Sequence, residues 1–334
     1  MKNIFLKKEL TDKEIQEKEG HYFPVSHYSL FINDDCNVYK IDETNQKIAD
    51  EEHLLLSFRK KVLKKQDCLK AYHALEKYSQ KKHNNRGSAG GLLKKESLPK
   101  YVKETTQTSK FRAYYIGKDG KPKKDHISNY VQSGIIGYFD RYDRNIFNKK
   151  SKTQERPEIP ETPLIPCRMT KFTRDEVDKW NETLPLIKEV DKVFKKVLPL
   201  RHNIQYQQAS ETPKFQIKDT AFSTVTINYN YRTATHKDKG DFPAGFGNLI
   251  VLEKNKCNSS SINKKNKISE YSGGYLGFPQ YKVCVNVRQG DFLAMDVHEW
   301  HCNTELGCLS DNSNYGRLSL VCYLRNNMIK CKGK

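Results

Sequence analysis

The sequence lacks any run of about 18 apolar residues, so we expect no membrane-spanning helix. Its first ten residues, Met1 to Leu10, are too highly charged to form the apolar segment of a secretory signal. The chain has 334 residues, of which 36% are hydrophobic, which is enough to bury a core. We therefore expect one large domain, or a core domain with an extension, outside the membrane.

The cysteines lack the spacing of a metal site or a disulfide framework. There are nine of them, an odd number, and no two are spaced Cys-x-x-Cys. This argues against a four-cysteine zinc site and against a set of paired disulfides. Reduced thiols in a nuclear or cytoplasmic setting are the expectation.

Acidic residues are outnumbered by basic ones, 40 to 59. The formal net charge is +19, and lysine is spread along the whole chain rather than confined to one tail. A surplus of this size attracts polyanions and makes binding sensitive to salt. The alternative is a proteome rich in lysine, in which the charge carries no function.

The first 200 residues mix several kinds of local pattern. We expect short strands within residues 1–50, one long helix over residues 51–83 and a hairpin over residues 111–131. Residues 145–163, with several prolines, are typical of an exposed loop. A second helix is expected over residues 173–198, with Thr173 as its N-cap and Pro199 just past its end.

From residue 200 onward, short apolar runs alternate with turns. This rhythm is typical of an antiparallel barrel or sandwich, so the sequence predicts an α+β protein with a β-rich C-terminal half. Residues 254–272, rich in serine, asparagine and lysine, interrupt the pattern and are expected to form a mobile loop.

The segment Thr235-His236-Lys237-Asp238 carries the most information about chemistry. It follows a strand-like run, and side chains two residues apart on a strand point to the same side. His236 and Asp238 can therefore share one metal ion. With one further histidine they would make a facial triad that leaves three positions open on Fe(II).

Two histidines are available to complete this triad. His298 and His301 follow a glycine turn and a buried apolar run, and their odd spacing means that only one should reach the metal. Arg317 then opens a late apolar run, where a guanidinium could bind a carboxylate through two hydrogen bonds.

Each of these residues also has a structural explanation. His236 and Asp238 could form a surface ion pair, either later histidine could be hydrogen-bonded in the core, and Arg317 could be a surface cation. The order of the motifs within one β-rich half is what favours a metal site.

At these residues the sequence resembles the TET/JBP family of nucleic-acid-base dioxygenases, and most of all the thymine dioxygenase domain of kinetoplastid J-binding proteins. Two stretches carry the resemblance, at residues 221–253 and 273–305: AFSTVTINYNYRTATHKDKGDFPAGFGNLIVLE and GGYLGFPQYKVCVNVRQGDFLAMDVHEWHCNTE. Weaker similarity extends the match over residues 85–325, through segments 86–91, 133–140 and 166–175.

The resemblance implies a double-stranded β-helix (jelly-roll) core with flanking helices. We therefore expect an N-terminal extension over residues 1–84 that packs on the core. The dioxygenase domain would follow over residues 85–334, with its barrel at about residues 200–325.

The resemblance also implies the site and its reaction. The metal ligands would be His236, Asp238 and His301, which selects His301 over His298, and Arg317 would bind 2-oxoglutarate. With Fe(II), 2-oxoglutarate and O2, a methyl group on a base would be hydroxylated and succinate and carbon dioxide released. Ascorbate replaces 2-oxoglutarate in one relative, so it is an alternative co-substrate.

Recognition of the base is less well specified. Asp241 matches an aspartate that contacts the base in cytosine-oxidising relatives, but a carboxylate can accept a hydrogen bond from either base, and a turn-capping role is the alternative. Those relatives carry a histidine where this sequence has Arg325. The separate DNA-binding module of J-binding proteins has no counterpart here, so the catalytic domain itself should recognise the base.

The sequence thus favours oxidation of thymine to 5-hydroxymethyluracil in DNA, by a monomer that flips the base or takes single strands. The phosphates would be held by the basic strip formed by Arg59, Lys60, Lys61, Lys64 and Lys65, which could also be a solvated helix face, and by Lys237 and Lys239. The alternatives are 5-methylcytosine oxidation, RNA or protein hydroxylation, and a non-catalytic nucleic-acid-binding module.

Overall fold

The main sheet combines strands from the beginning, middle and end of the chain. The computed structural model describes residues 1–41, 44–84, 86–98, 100, 106–116, 118–140, 167–254, 271–308 and 315–333. The sheet runs in the order β1-β3-β4-β16-β12-β19-β11-β9-β10, and β5 also pairs with β9. The bounds of its strands are β1 Lys2–Leu6, β3 Cys36–Lys40, β4 Leu54–Arg59, β5 Lys82–His83, β9 Val131–Phe139, β10 Arg168–Met169, β11 Thr224–Tyr229, β12 Gly247–Glu253, β16 Phe292–Met295 and β19 Arg317–Tyr323.

A smaller sheet packs against one face of the main sheet. It runs in the order β17-β14-β15-β2, with β2 Leu30–Ile32, β14 Leu276–Phe278, β15 Val283–Val285 and β17 Cys302–Asn303. Buried side chains of both sheets, such as Leu249 and Leu293 from the main sheet and Phe278 and Val283 from the smaller one, form a single apolar cluster. Two facing sheets therefore enclose the core of the C-terminal half.

Helices cover the other face of the main sheet. Helix α1 Asp12–Glu17 instead packs through Ile15 in a cluster with Cys284 and Cys302 of the smaller sheet. The helices on the main sheet are α2 Lys65–Ser79, α3 Lys171–Asp175, α4 Val177–Val197 and α5 Pro199–Ser210. Leu75 of α2 and Phe194 of α4 pack in one cluster with Ile227 and Leu318 of the sheet. Helices on one side of a mostly antiparallel sheet make this an α+β architecture, as expected.

Two further small sheets lie outside these layers. One runs β6-β7-β8, with β6 Thr106–Thr108, β7 Ala113–Ile116 and β8 Pro122–Ile127. The hairpin predicted over residues 111–131 is therefore present, and Gly120 in its turn has a φ of 69°. The other sheet pairs β13 Tyr271–Gly273 with β18 Leu306–Cys308.

The prediction of a single helix over residues 51–83 is wrong. Its first part is strand β4, which lies between β3 and β16 and is buried along its whole length, and only Lys65–Ser79 is helical. An apolar run such as Leu54–Arg59 fits a strand buried on both faces as well as it fits a helix. The strand pairing over residues 1–59 decides between them, since β1, β3 and β4 extend the main sheet.

The second expected helix is present with different ends. Thr170, not Thr173, caps a short helix α3, and α4 follows from Val177 to Val197. Pro199 opens the next helix, α5, at its first turn, a position where its missing N–H costs nothing.

The expectation that all thiols are reduced is wrong for one pair. Cys167 and Cys331 form a disulfide across a sequence separation of 164 residues. So long a separation leaves no local spacing signal, which is why the sequence did not reveal it. Cys36, Cys284, Cys302 and Cys322 are free and buried.

Two predicted loops fall largely or wholly outside the described residues. The loop over residues 145–163 lies there entirely, as do residues 255–270 of the insert, whereas Tyr271 and Ser272 belong to β13. Among the described helices, none combines the length and the apolar character needed to cross a bilayer.

Candidate active site

A short antiparallel bridge brings two distant histidines together. His236 lies in the segment after β11 and His301 immediately before β17, and each donates its backbone N–H to the other's carbonyl at 3.0 Å. The centroids of their rings are 4.3 Å apart. Both side chains therefore project to the same side of the bridge, toward the interior between the two sheets.

Asp238 completes a cluster with these two rings. Its carboxylate oxygens lie 3.7 Å from Nε2 of His236 and 3.6 Å from Nε2 of His301. One potential ligand atom from each residue lies within 4.8 Å of the others. Across the described part of the chain, no other trio of His, Cys, Asp or Glu meets this criterion.

Backbone carbonyls fix the orientation of both rings. Nδ1 of His236 is 2.7 Å from the carbonyl oxygen of Ala234, and Nδ1 of His301 is 2.9 Å from that of Glu299. Since a carbonyl can only accept, each Nδ1 carries a hydrogen, and in the neutral form of each ring Nε2 presents a lone pair to the cluster. This is the outer-shell arrangement expected of histidines that bind a metal.

The electrostatics of the cluster favour a deprotonated His236 and a deprotonated Asp238, whereas His301 holds its proton more tightly. Burial lowers the pKa of His236 to about 4, helped by the charge of His301. Burial acts against ionisation of Asp238, but hydrogen bonding to His301 and the charges of both histidines outweigh it and lower the pKa of that carboxyl. Burial likewise acts against protonation of His301, but Asp238 outweighs it and raises the pKa of the ring.

His298, the other candidate, lies outside the cluster. Its Nε2 is 3.2 Å from the carbonyl oxygen of Phe242, and its backbone N–H donates to the Asp296 side chain. The odd spacing of the two histidines thus leads to different surroundings, and of the two only His301 joins His236 and Asp238.

Arg317 is fully buried at the start of β19. Its Nη2 donates to the carbonyl oxygen of Gly274 at 3.2 Å, and its Nε has no hydrogen-bond partner among the described residues. A buried cation with an unsatisfied donor fits a site for a ligand carboxylate.

A cavity of about 730 Å³ opens above the cluster. His236, Asp238 and His301 all line it, together with apolar side chains of the main sheet such as Leu249 and Met295. Its lining carries more cations than acids, with Arg86, Arg112, Arg168, Lys171, Arg174, Lys237, Lys239 and Arg325 against Glu19, Asp238 and Asp241.

Asp241 is buried in the wall of this cavity. Arg325 donates to its Oδ1 at 3.3 Å and grips Asp140 with two hydrogen bonds of 3.1 and 3.2 Å. Burial, and then the charge of Asp238, raise the pKa of Asp241 well above its ordinary value. The side chain therefore lies beside Arg325 and Asp140 in the cavity wall, and among the described residues its hydrogen bond goes to Arg325.

A known family matches the part of the chain that carries this cluster. A family described as Tet_JBP, the oxygenase domain of the 2OGFeDO superfamily, matches residues 158–326. The chain belongs to the Tet_JBP family. Membership of this superfamily implies Fe(II), 2-oxoglutarate and O2, and the donor set of His236, Asp238 and His301 is compatible with iron.

Curated relatives of this Tet_JBP chain are much longer proteins. Thymine dioxygenase JBP1 of Trypanosoma brucei brucei (strain 927/4 GUTat10.1) is 34% identical over 242 residues, 72% of this chain and 25% of the relative. The bifunctional helicase and thymine dioxygenase JBP2 of Leishmania tarentolae is 30% identical over 197 residues, 59% of this chain and 15% of the relative. The chain thus spans a quarter or less of each.

A solved structure described as NgTET1 in complex with 5mC DNA is also similar. The TM-score is 0.43 and the sequence identity 12%, over 97% of this chain and 94% of the other.

One residue of the Tet_JBP cavity that the sequence did not single out is Arg86. Among the described residues its guanidinium donates to neutral acceptors: Ser133 Oγ at 3.0 Å, the Gly134 carbonyl oxygen at 3.2 Å and Thr226 Oγ1 at 3.4 Å. The signal in the sequence was the glycine-rich break at residues 86–91, in which Gly87 has a φ of 54°. Its location beside the cluster could not be read from that break.

The two groups of basic residues proposed to hold phosphates differ in location. Lys237 and Lys239 line the cavity, whereas no member of the strip Arg59, Lys60, Lys61, Lys64 and Lys65 does. Within the strip, Arg59 is buried and bonds the Cys36 carbonyl and the Asn37 side chain. The strip is therefore not a continuous solvated helix face.

Proposed function

We propose that this chain is an Fe(II)- and 2-oxoglutarate-dependent dioxygenase that hydroxylates the methyl group of a DNA base, with thymine as the favoured substrate. The observation that carries the proposal is the cluster of His236, Asp238 and His301 at the base of a cation-rich cavity. The names of the curated relatives support thymine as the substrate, and hydroxylation of its methyl group would give 5-hydroxymethyluracil.

The proposed architecture is a double-stranded β-helix over about residues 200–325, within a domain of residues 85–334. Support comes from the two facing sheets, which share one apolar core and hold the histidine bridge between them. Residues 1–84 would be an extension that packs on this core through β1 to β4.

The protein's part in metal binding follows from the cluster. His236 and His301 would each offer Nε2, and Asp238 one carboxylate oxygen, with the hydrogens on both Nδ1 atoms held by carbonyls. These three ligands would leave positions on Fe(II) for O2 and a bidentate oxo-acid, and the iron would supply the oxidising chemistry.

Arg317 would hold the distal carboxylate of 2-oxoglutarate. Its buried guanidinium has an unsatisfied Nε, so an incoming carboxylate gains a charged hydrogen-bond partner without displacing a protein group. Ascorbate is the alternative co-substrate, but it has no carboxylate group that Arg317 could bind.

The depth of the site implies how a base would reach it. A methyl group on a paired base lies in the major groove, so the nucleotide must be flipped or the strand must be single. Cations on the cavity lining, among them Arg112, Arg168, Lys237 and Lys239, would hold the flanking phosphates. Asp241, in the same wall, would accept a hydrogen bond from the base.

The experiment that tests the proposal is a turnover assay followed by nucleoside analysis. The protein is incubated aerobically with Fe(II) and oligonucleotides containing thymine or 5-methylcytosine, with 2-oxoglutarate or ascorbate in separate arms, and the digested nucleosides are measured by mass spectrometry. We expect 5-hydroxymethyluracil and a matching amount of succinate.

Controls separate the alternatives. Asp238→Ala should abolish turnover, whereas Asp178→Ala, at an exposed aspartate in the first turn of α4, should not. If 5-hydroxymethylcytosine were the sole product, the proposed substrate would be 5-methylcytosine instead of thymine. If products formed only on RNA or peptide, the proposed substrate class would be wrong. Iron bound with no turnover on any substrate would favour a non-catalytic module.

Because the proposed substrate is DNA, we propose a nuclear or cytoplasmic location. We also propose that the protein is a monomer, which light scattering coupled to size-exclusion chromatography would check.

A further inference from the structure

The turn that carries His301 is held from outside by a residue of the N-terminal strands. Lys40, the last residue of β3, places its Nζ 2.7 Å from Oδ2 of Asp296 and 3.3 Å from Oε1 of Glu299. All three side chains are largely buried, with exposed fractions of 24%, 15% and 13%. One ammonium group thus bridges two carboxylates that would otherwise face each other in a poorly solvated place.

Both carboxylates belong to the short turn between β16 and His301. The other oxygen of Asp296, Oδ1, accepts the backbone N–H of His298 at 3.0 Å, and the Asp296 N–H donates to the Leu55 carbonyl at 2.9 Å. The Glu299 N–H in turn donates to the Asp296 carbonyl at 3.3 Å. Lys40 therefore closes a ring of contacts that fixes the path of the turn.

The turn transmits this constraint to the metal cluster through one atom. The carbonyl oxygen of Glu299 is the partner of Nδ1 of His301, at 2.9 Å, and so sets the rotation of that ring. His236 is oriented differently, by the Ala234 carbonyl of its own strand segment. Of the two rings, His301 is the one whose orienting carbonyl lies in the turn that Lys40 contacts.

We propose that Lys40 is a positioning residue for the metal site, which acts on His301 through Asp296 and Glu299. The proposal rests on the proposed role of His301 as a ligand. Without the ammonium group, the two carboxylates repel each other, the turn relaxes, and the Glu299 carbonyl no longer holds the imidazole in its binding orientation. Loss of such outer-shell partners typically weakens metal binding by about 10- to 100-fold.

The test measures binding of Co(II), which stands in for Fe(II), resists air oxidation and reports its coordination by visible absorption. Four full-length proteins are titrated well below their melting temperatures: the wild type, Lys40→Met, Lys40→Arg and Lys188→Met. Lys188 pairs with Asp219 on the surface of α4, away from the cavity, and serves as the matched control.

We expect Lys40→Met to bind Co(II) about tenfold or more weakly than the wild type. Lys40→Arg, which can still bridge two carboxylates, should lie within a few fold of it, and Lys188→Met should be unchanged. Turnover of Lys40→Met should recover at saturating iron, since its defect is in affinity. A merely structural ion pair would lower the melting temperature of Lys40→Met and leave its Co(II) affinity and spectrum alone.

Folded Lys40→Met with a Co(II) affinity within twofold of the wild type would overturn the proposal. If Lys40→Met does not fold, Glu299→Met decides, because it keeps the length of the side chain and removes the oxygen through which Lys40 holds this part of the turn. Weaker Co(II) binding by this variant supports the proposal, and unchanged binding overturns it. If the wild type bound no Co(II), the proposed metal site itself would be wrong. Both the proposed function and the role of Lys40 would then fail.

Discussion

His236 and His301 face each other across a bridge in which each backbone donates to the other at 3.0 Å. The two rings are therefore held together by the pairing of strand segments far apart in sequence, not by their own contacts alone. A shift in the register of that pairing by one residue would place a different side chain opposite each histidine and separate the two rings.

The first prediction uses the two neighbouring histidines. His301→Ala should reduce Co(II) affinity and iron-dependent turnover by roughly a hundredfold or more, since a direct ligand costs at least as much as its outer-shell partner. His298→Gln, which removes the ring that bonds the Phe242 carbonyl, should keep both properties. Metal titration and succinate release measure the two effects, and the opposite ranking would reassign the third ligand.

The second prediction concerns Arg317. Arg317→Met keeps the bulk of the side chain and removes its charge, so 2-oxoglutarate should lose a charged hydrogen bond of about 1.5–3 kcal/mol. This corresponds to a rise of about ten- to a hundredfold in the KM for 2-oxoglutarate, with Co(II) affinity unchanged. A steady-state titration of 2-oxoglutarate measures it, and an unaltered KM in the folded variant would place the carboxylate elsewhere.

The third prediction concerns pH and His83, which lines the cavity and whose Nε2 has no hydrogen-bond partner among the described residues. Burial, followed by the charges of Arg86 and Lys81, lowers the pKa of His83 below its ordinary value of 6.5. Between the folded and unfolded pKa values the unfolded chain binds more protons, so the metal-free protein should lose stability as pH falls below 6.5.

The matched variant isolates this contribution. We expect the melting temperature of His83→Gln to fall less steeply with falling pH than that of the wild type, because one ring no longer takes up a proton on unfolding. Melting temperatures are measured from pH 7.5 to pH 5 in steps of about half a unit. The other histidines are common to both proteins and cancel in the difference. Parallel curves for the two proteins would mean that His83 is not buried as described.

The fourth prediction concerns the disulfide between Cys167 and Cys331, which closes a loop with a sequence separation of 164 residues. Cross-links over loops of this length stabilise a fold by about 2–5 kcal/mol. Reductant should therefore lower the melting temperature by several degrees, and Cys331→Ser should show the same lowering without reductant. No response of the wild type to reductant would mean that the two thiols are not joined in solution.

Much of the candidate site could be predicted because its residues lie in short motifs. His236 and Asp238 are two positions apart, and Arg317 opens an apolar run, so local alternation already indicates which side chains point inward. The choice of His301 needed the family resemblance, since spacing alone admitted His298 equally.

The rest of the site depends on contacts that local sequence does not encode. Arg86 reaches the cavity because its segment packs beside β9 and β11, and Lys40 reaches the His301 turn because β3 lies two strands from β16. For the same reason, local sequence predicts a helix over Leu54–Arg59, which forms strand β4. Its buried pattern becomes unambiguous only when the strands on both sides of it are known.

Strand β4 fills the position between β3 and β16 in the main sheet. A recombinant fragment that begins at residue 85 would leave one edge of β16 without its partner, exposing unpaired amides beside the apolar residues Phe292 and Leu293. Open edges of this kind invite pairing with other molecules, so such a fragment is expected to precipitate or self-associate during expression. Shortened forms intended for crystallisation should therefore keep the N-terminal strands.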